Sequence, residues 1–151
     1  MKRISLVALI ALMVFIVAPH AARAQGGARQ GPDVMRDPDM EKDSLHNLEV
    51  ARQYFKLRKA YKASLARCEE IIAGNPAFSK IDEVLLIAGE SSLRLSENKG
   101  KQSVKTATDK LREDARNYLS SLVNNYPDSK FKEVALDDLK LLGGLKPKDS
   151  Q

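Results

Sequence analysis

Two prolines divide this chain into helical blocks, and the residues that follow them nearly repeat. After Asn75-Pro76 comes Ser79-Lys80-Ile81-Asp82-Glu83-Val84-Leu85-Leu86, and after Tyr126-Pro127 comes Ser129-Lys130-Phe131-Lys132-Glu133-Val134-Ala135-Leu136. Five of the eight paired positions are identical. A proline cannot continue a helix, because its ring clashes with the carbonyl one turn back and its nitrogen carries no proton. The residue before it is also pushed out of the helical region. Each copy therefore reads as a helix stopped by proline and a new helix opened by serine, which is the junction expected between stacked helix-turn-helix units.

Apolar spacing fills in the helices on either side of these junctions. Ser44 is expected to cap a first helix whose Leu45, Leu48, Ala51 and Phe55 fall on one face. A second runs from about Ala60, with Tyr61, Leu65, Cys68, Ile71 and Ile72 as its stripe, to the stop at Gly74-Asn75-Pro76. So short a connection forces the two into an antiparallel hairpin. Ser79 opens a third helix bearing Ile81, Val84, Leu85, Ala88, Ser92 and Leu95, with small residues Ala88, Gly89, Ser91 and Ser92 in its middle to allow close contact. The polar run Ser96 to Lys105 is a loop. A fourth helix carries Ala107, Leu111, Ala115, Tyr118, Leu122 and Tyr126, and a fifth, opened by Asp128-Ser129, carries Phe131, Val134, Ala135, Leu139 and Leu142 before Gly143-Gly144. No segment alternates as a strand would. The expected fold is all-α, with five helices stacked as antiparallel hairpins over residues 44–144 in a short solenoid of about two and a half units.

Both ends are expected to lie outside this domain. Residues 1–24 read as a secretory signal: basic Lys2 and Arg3, an apolar run from Ile4 to Ala18, Pro19, and Ala22-Arg23-Ala24 as a cleavage site. An uncleaved anchor is the alternative, but the apolar run of about 15 residues is shorter than the roughly 20 that span a bilayer. Cleavage near Ala24/Gln25 implies a periplasmic or secreted product, peripheral at most to an outer membrane. Residues 25–43, rich in Gly, Gln, Pro and charge, read as a disordered arm, either a spacer or a docking segment. Residues 145–151 read as a flexible tail.

Charge and residue types narrow the chemistry. The formal charge of +5 includes Lys2, Arg3 and Arg23, so beyond Ala24 the 25 basic residues become 22 against 20 acidic ones. Nucleic-acid binding is disfavoured at so small and interspersed an excess. Lys99, Lys101, Lys105 and Lys110 form the one local basic cluster, for which a solvated loop and contact with anionic lipid are both open. His46 is the one histidine beyond the leader, so no histidine-based metal set or Ser/His/acid triad can be assembled. Cys68 falls on an apolar stripe, where a thiol behaves as a small hydrophobe. The acid pairs Glu69/Glu70, Asp82/Glu83, Glu113/Asp114 and Asp137/Asp138 are sequence neighbours, which point about 100° apart on a helix and do not converge on one proton or metal. They read as solvated faces. No catalytic residue, metal site or cofactor is expected.

The stretch from Leu48 to Leu142 resembles the tetratricopeptide repeats of the BamD-like (YfiO-like) outer-membrane assembly family. Phe55, Tyr61, Ser64, Cys68, Ile71 and Pro76 stand at the signature places of a first unit, and Leu85, Ala88, Gly89 and Ser92 open a second. Four departures accompany the match, the first being that only about two and a half units stand against the family's five. Arg52 stands where the pattern prefers a small residue, the second unit carries an insertion, and the lipid-accepting cysteine of that family is missing from the cleavage site. The resemblance implies a protein-interaction module of the cell envelope, without a lipid anchor, that takes an extended peptide segment or an envelope assembly component on its concave face. Carrying the register across places Glu49, Gln53 and Lys56 on that face in the first helix, Leu86, Glu90 and Arg94 in the third, and Leu136 and Lys140 in the fifth. The alternative is a structural subunit that stacks on a larger helical partner or on itself, since Leu136, Leu139, Leu141, Leu142 and Leu145 make the end of the chain apolar on more than one side.

Overall fold

The computed structural model describes residues 36–148, and the leader and most of the arm lie outside them. The described residues are helical and connecting segments, without strands. Five α-helices follow one another: α1 Pro38–Gln53, α2 Tyr61–Gly74, α3 Ile81–Ser96, α4 Thr108–Asn125 and α5 Lys132–Leu141. Each packs on the next, and α1 also touches α3. The hairpin order expected from the proline junctions is therefore the order found.

Helix starts differ from expectation in instructive ways. α1 begins at Pro38, six residues before Ser44, because Asp37 caps it by accepting from the Asp39 amide at 2.9 Å. Proline just inside the start and acids in the first turn, Asp39 and Glu41, favour the same boundary. Residues 38–43 thus belong to the helix rather than to the arm. Ser44 is buried within α1, where its hydroxyl accepts from Asn75 Nδ2 at 3.1 Å and ties the start of α1 to the end of α2. α1 runs on into a π-helical turn, Tyr54–Arg58, closed by Lys59 at φ 50°. Ser79 does not cap α3, since its amide donates to the Glu41 carboxylate and the helix starts one residue after Lys80. Ser129 instead bridges, accepting from the Phe131 amide at 3.2 Å and donating to Asp82 Oδ2 at 2.7 Å.

α3 is the centre of the fold. Twelve of its sixteen residues are buried, and the other four, Asp82, Glu83, Glu90 and Arg94, are charged and half-buried. One side, Ile81, Val84, Ile87 and Ala88, joins Leu48, Ala51, Cys68, Ile71 and Phe78 in a first core. The other, Leu85 and Leu86, joins Leu119, Leu122, Val123, Ala135 and Leu139 in a second. Gly89 lets α3 and α4 come close, since a Cβ there would lie 2.6 Å from Leu119 Cγ. Ser64 secures the first hairpin by donating to the Ala51 carbonyl at 3.0 Å.

The tail expected to be flexible is bound to α4 as far as it is described. The Lys146 amide donates to Ser120 Oγ at 3.0 Å, its carbonyl accepts from Asn124 Nδ2 at 2.9 Å, and its ammonium reaches Asn117 at 2.7 Å and pairs with Glu113. Arg116 donates to the carbonyls of Gly143 and Gly144. Arg112 donates to the Leu141 carbonyl at 2.9 Å, satisfying one of the carbonyls that the end of α5 leaves without a helical partner. Residues 149–151 lie outside the described segment.

Candidate partner-binding surface

The first helices of the successive hairpins, α1, α3 and α5, bring a set of charges of alternating sign together. Glu90, half-buried on α3, is its middle. Burial pushes the Glu90 carboxyl above the usual range, the Asp138 charge on α5 adds to this, and Arg94 on α3 and Lys56 at the end of α1 oppose it. Asp138 behaves alike. Burial raises its carboxyl, Arg94 opposes the shift, and Asp137 and Glu97 add to it. The Arg94 charge opposes both shifts, yet its guanidinium comes within ion-pairing distance only of Glu97, at 3.9 Å. Asp138 Oδ2 is buried without a hydrogen-bond partner. An unmatched buried acceptor costs more than a satisfied one contributes, so the set has unused capacity for a cationic or hydrogen-bonding group.

The eight residues assigned from the register fall into three groups. Lys56, Glu90 and Arg94 are brought together in this set. Glu49, Gln53 and Lys140 are exposed, but two of them already have partners: Glu49 pairs with Arg52 at 3.1 Å and Lys140 with Asp137 at 2.7 Å. Leu86, only 8% exposed, lies in the second core, and half-buried Leu136 packs against it. Both therefore contribute to packing, because the second core draws on the side of α3 and α5 that the register had turned toward a ligand.

Asp138 was absent from the sequence assignment, although the internal repeat carries the clue. Extended two residues past Leu86 and Leu136, the repeat pairs Ala88, fully buried, with Asp138. A carboxylate stands where the earlier copy has a core methyl.

The adjacent acid pairs diverge as helix geometry requires, and they are not all solvated. Glu69 accepts from the Tyr118 hydroxyl at 3.2 Å while Glu70 pairs with Arg67. Asp82 accepts from Ser129, whereas Glu83 takes both arms of Arg52, with Nε at 2.7 Å and a terminal nitrogen at 2.6 Å. Arg52, the departure from the repeat pattern, is therefore the link from α1 to α3, and it holds the Glu83 carboxyl below the usual range.

Elsewhere the chemistry is quiet. Cys68 is buried, and burial, reinforced by Glu69 and Glu83, pushes its thiol up to about 12. A thiol so shifted is largely un-ionised near neutrality. His46 is exposed on α1. Among the described residues no group of His, Cys, Asp and Glu stands together as a metal site, and no helix is long and apolar enough to cross a membrane. No family model, curated protein or solved structure matches the chain.

Proposed function

We propose that the chain is an exported protein-interaction module of the cell envelope that holds an extended polypeptide across α1, α3 and α5. The observation that supports it best is the Lys56, Glu90, Arg94 and Asp138 set, in which the π-helical turn after α1, α3 and α5 contribute charges that act on the half-buried Glu90 and Asp138. A peptide backbone with a basic side chain suits such a surface: the cation meets Glu90 and Asp138, and the peptide's carbonyls meet Arg94 and Lys56. The resemblance to the BamD-like family extends this reading to outer-membrane protein assembly. The test is capture from envelope extracts with the native chain and with a Glu90→Lys/Arg94→Glu reversal. Recovery of barrel-assembly components by the native chain alone supports the family role, and equal recovery by both refutes the surface.

A structural-subunit reading draws on a different observation. α5, the last helix among the described residues, leaves Val134 45% and Leu141 65% exposed, and Leu145 beyond it is 41% exposed. Solenoid ends without a polar cap tend to be covered by another helix. Light scattering across a concentration series separates the two readings, since a strict monomer at high concentration counts against self-association.

A further inference from the structure

The end of the fold where α1 passes into α2 carries a feature independent of the peptide surface. The loop between α3 and α4 folds back onto it: the Lys101 amide donates to the Lys59 carbonyl at 3.3 Å, and Gln102 Oε1 accepts from the Ala63 amide at 3.2 Å. Gly100, at φ 104°, makes this approach possible, because a Cβ would lie 2.8 Å from both the Lys59 carbonyl and the Tyr61 ring. The contact joins two basic segments that are some 40 residues apart in sequence. Arg58, Lys59, Lys62, Lys101 and Lys105 are all exposed there. Among the described residues none of the five has a carboxylate within ion-pairing distance, in contrast to Lys99, which is matched by Glu97 at 2.8 Å. Leu57, next in sequence to Arg58 and Lys59 in the π-helical turn, is 79% exposed, the most exposed large apolar side chain described. Folding accounts for Arg58, which lies in the last helical turn where the dipole favours a cation, but not for the lysines. The first turn of α2 has no acidic residue and carries Lys62, a sign that the helix dipole disfavours.

We propose that this end docks on an anionic lipid bilayer, with Leu57 entering the acyl boundary and the five cations lying at the headgroups. Charge complementarity selects the anionic surface, and three features select a bilayer over other polyanions. An exposed apolar side chain at the same end of the fold as a cluster of cations is the pattern of an interfacial anchor. Four of the five cations are lysines, compact hydrated charges suited to a diffuse layer of headgroups, whereas planar bidentate recognition of protein carboxylates favours arginine. The nearby aromatic rings are already engaged, Tyr54 beneath Arg58 at 5.6 Å and Tyr61 edge-on to Phe55 at 5.3 Å, so they offer no platform for stacking bases. The inference does not rest on the peptide-binding reading, and the residues involved are different ones.

The test uses the chain from Gln25 onward, which contains both apolar cores whole and lacks the apolar leader that would itself partition into lipid. Vesicles of phosphatidylcholine, alone or with phosphatidylglycerol, are sedimented with the native chain and with two triple variants of equal charge change. Lys62→Gln/Lys101→Gln/Lys105→Gln removes cations from the proposed surface. Lys42→Gln/Lys80→Gln/Lys130→Gln removes them from the opposite end, where α1, α3 and α5 begin. Each surface lysine contributes about fivefold in partitioning to an anionic membrane, so the first variant is expected to lose about a hundredfold and the second to change little. Binding should weaken steeply with salt as screening shortens. The chain has no tryptophan, so Leu57→Trp introduces a single indole, whose emission should shift to the blue on anionic vesicles and stay put on neutral ones. All the replaced side chains are exposed, and unchanged helical circular dichroism checks the fold. Equal loss in both triple variants, equal binding to both vesicle types, or an indole that stays water-exposed when the protein is bound overturns the proposal. Retention on an immobilised acidic polypeptide with no vesicle binding overturns it as well, and assigns the surface to an acidic protein.

Discussion

Replacing Arg52 by methionine should cost about 2 kcal/mol and invert the contribution of Glu83 to pH-dependent stability. The starting geometry is a two-pronged ion pair at 2.6 and 2.7 Å, with 27% of the Arg52 side chain and 16% of the Glu83 side chain exposed. Hydrogen bonds to charged groups contribute roughly 1.5–3 kcal/mol, and partial exposure places this pair toward the middle of that range. Methionine keeps most of the aliphatic stem and removes the guanidinium, so the loss is chiefly electrostatic. For a domain near 100 residues, 2 kcal/mol corresponds to a fall in Tm of about 8 °C.

The sign with pH makes the test specific. In the native chain Arg52 holds the Glu83 carboxyl low, so the stability it contributes is present above its unfolded pKa and is lost as pH falls through the folded value. Without Arg52 the leading remaining influence on Glu83 is burial, which raises the carboxyl, although Lys130 and Lys80 still oppose it. The contribution is then present at low pH and fades as pH rises. Urea unfolding of native, Arg52→Met, Glu83→Gln and double variants between about pH 3 and 7 reads both effects, and the difference between native and Arg52→Met should widen with pH. A coupling below about 0.5 kcal/mol in that cycle, or a difference that is flat across the range, refutes the reasoning.

Two further outcomes follow from the packing and the charges. Gly89→Val should destabilise by about 2 kcal/mol, because its Cβ meets Leu119 Cγ and Cδ2 at 2.6 and 2.7 Å within a fully buried side chain, and overpacking outweighs a helix-propensity gain of about 0.5 kcal/mol. Urea midpoints at or above those of the native chain contradict it. Asp138→Asn should raise Tm near neutral pH and lose that advantage in acid, because a raised carboxyl contributes stability below its unfolded pKa and loses it as pH rises through the folded one. A lower Tm at neutrality shows instead that the Asp138 charge has a stabilising partner.

What could be read from the residues was whatever repeats locally. The stripes through Leu48, Ala51, Cys68 and Ile71 and through Val84, Leu85 and Ala88 are buried as their spacing requires. The helix stops follow the prolines. Helix starts were harder, because Asp37 and Ser44 both offer capping oxygens, and tertiary contact with Asn75 takes Ser44 out of that role. The π-helical turn and the binding of Lys146 to α4 could not be read from periodicity. The second depends on bonds spanning 22 to 29 residues, between groups whose own segments look polar and unremarked. On the candidate surface, Glu90 and Arg94 came from the register, whereas Leu86 and Leu136 failed because the register says which side of a helix a residue occupies but not how far the next helix closes over it.

The acid pair Asp82/Glu83 shows why a helix shared between two cores needs residues that look merely solvated in sequence. α3 packs into two cores at once, and its apolar contacts, being non-directional, permit it to slide or turn between them. Directional bonds remove that freedom. Consecutive carboxylates at the start of α3 point about 100° apart, so one can reach back to Arg52 on α1 while the other reaches forward to Ser129 ahead of α5. In the repeated segment Glu83 corresponds to Glu133 and Asp82 to Lys132, and α5 is the last helix among the described residues. The two copies thus share the glutamate but differ at the position that in α3 grips Ser129.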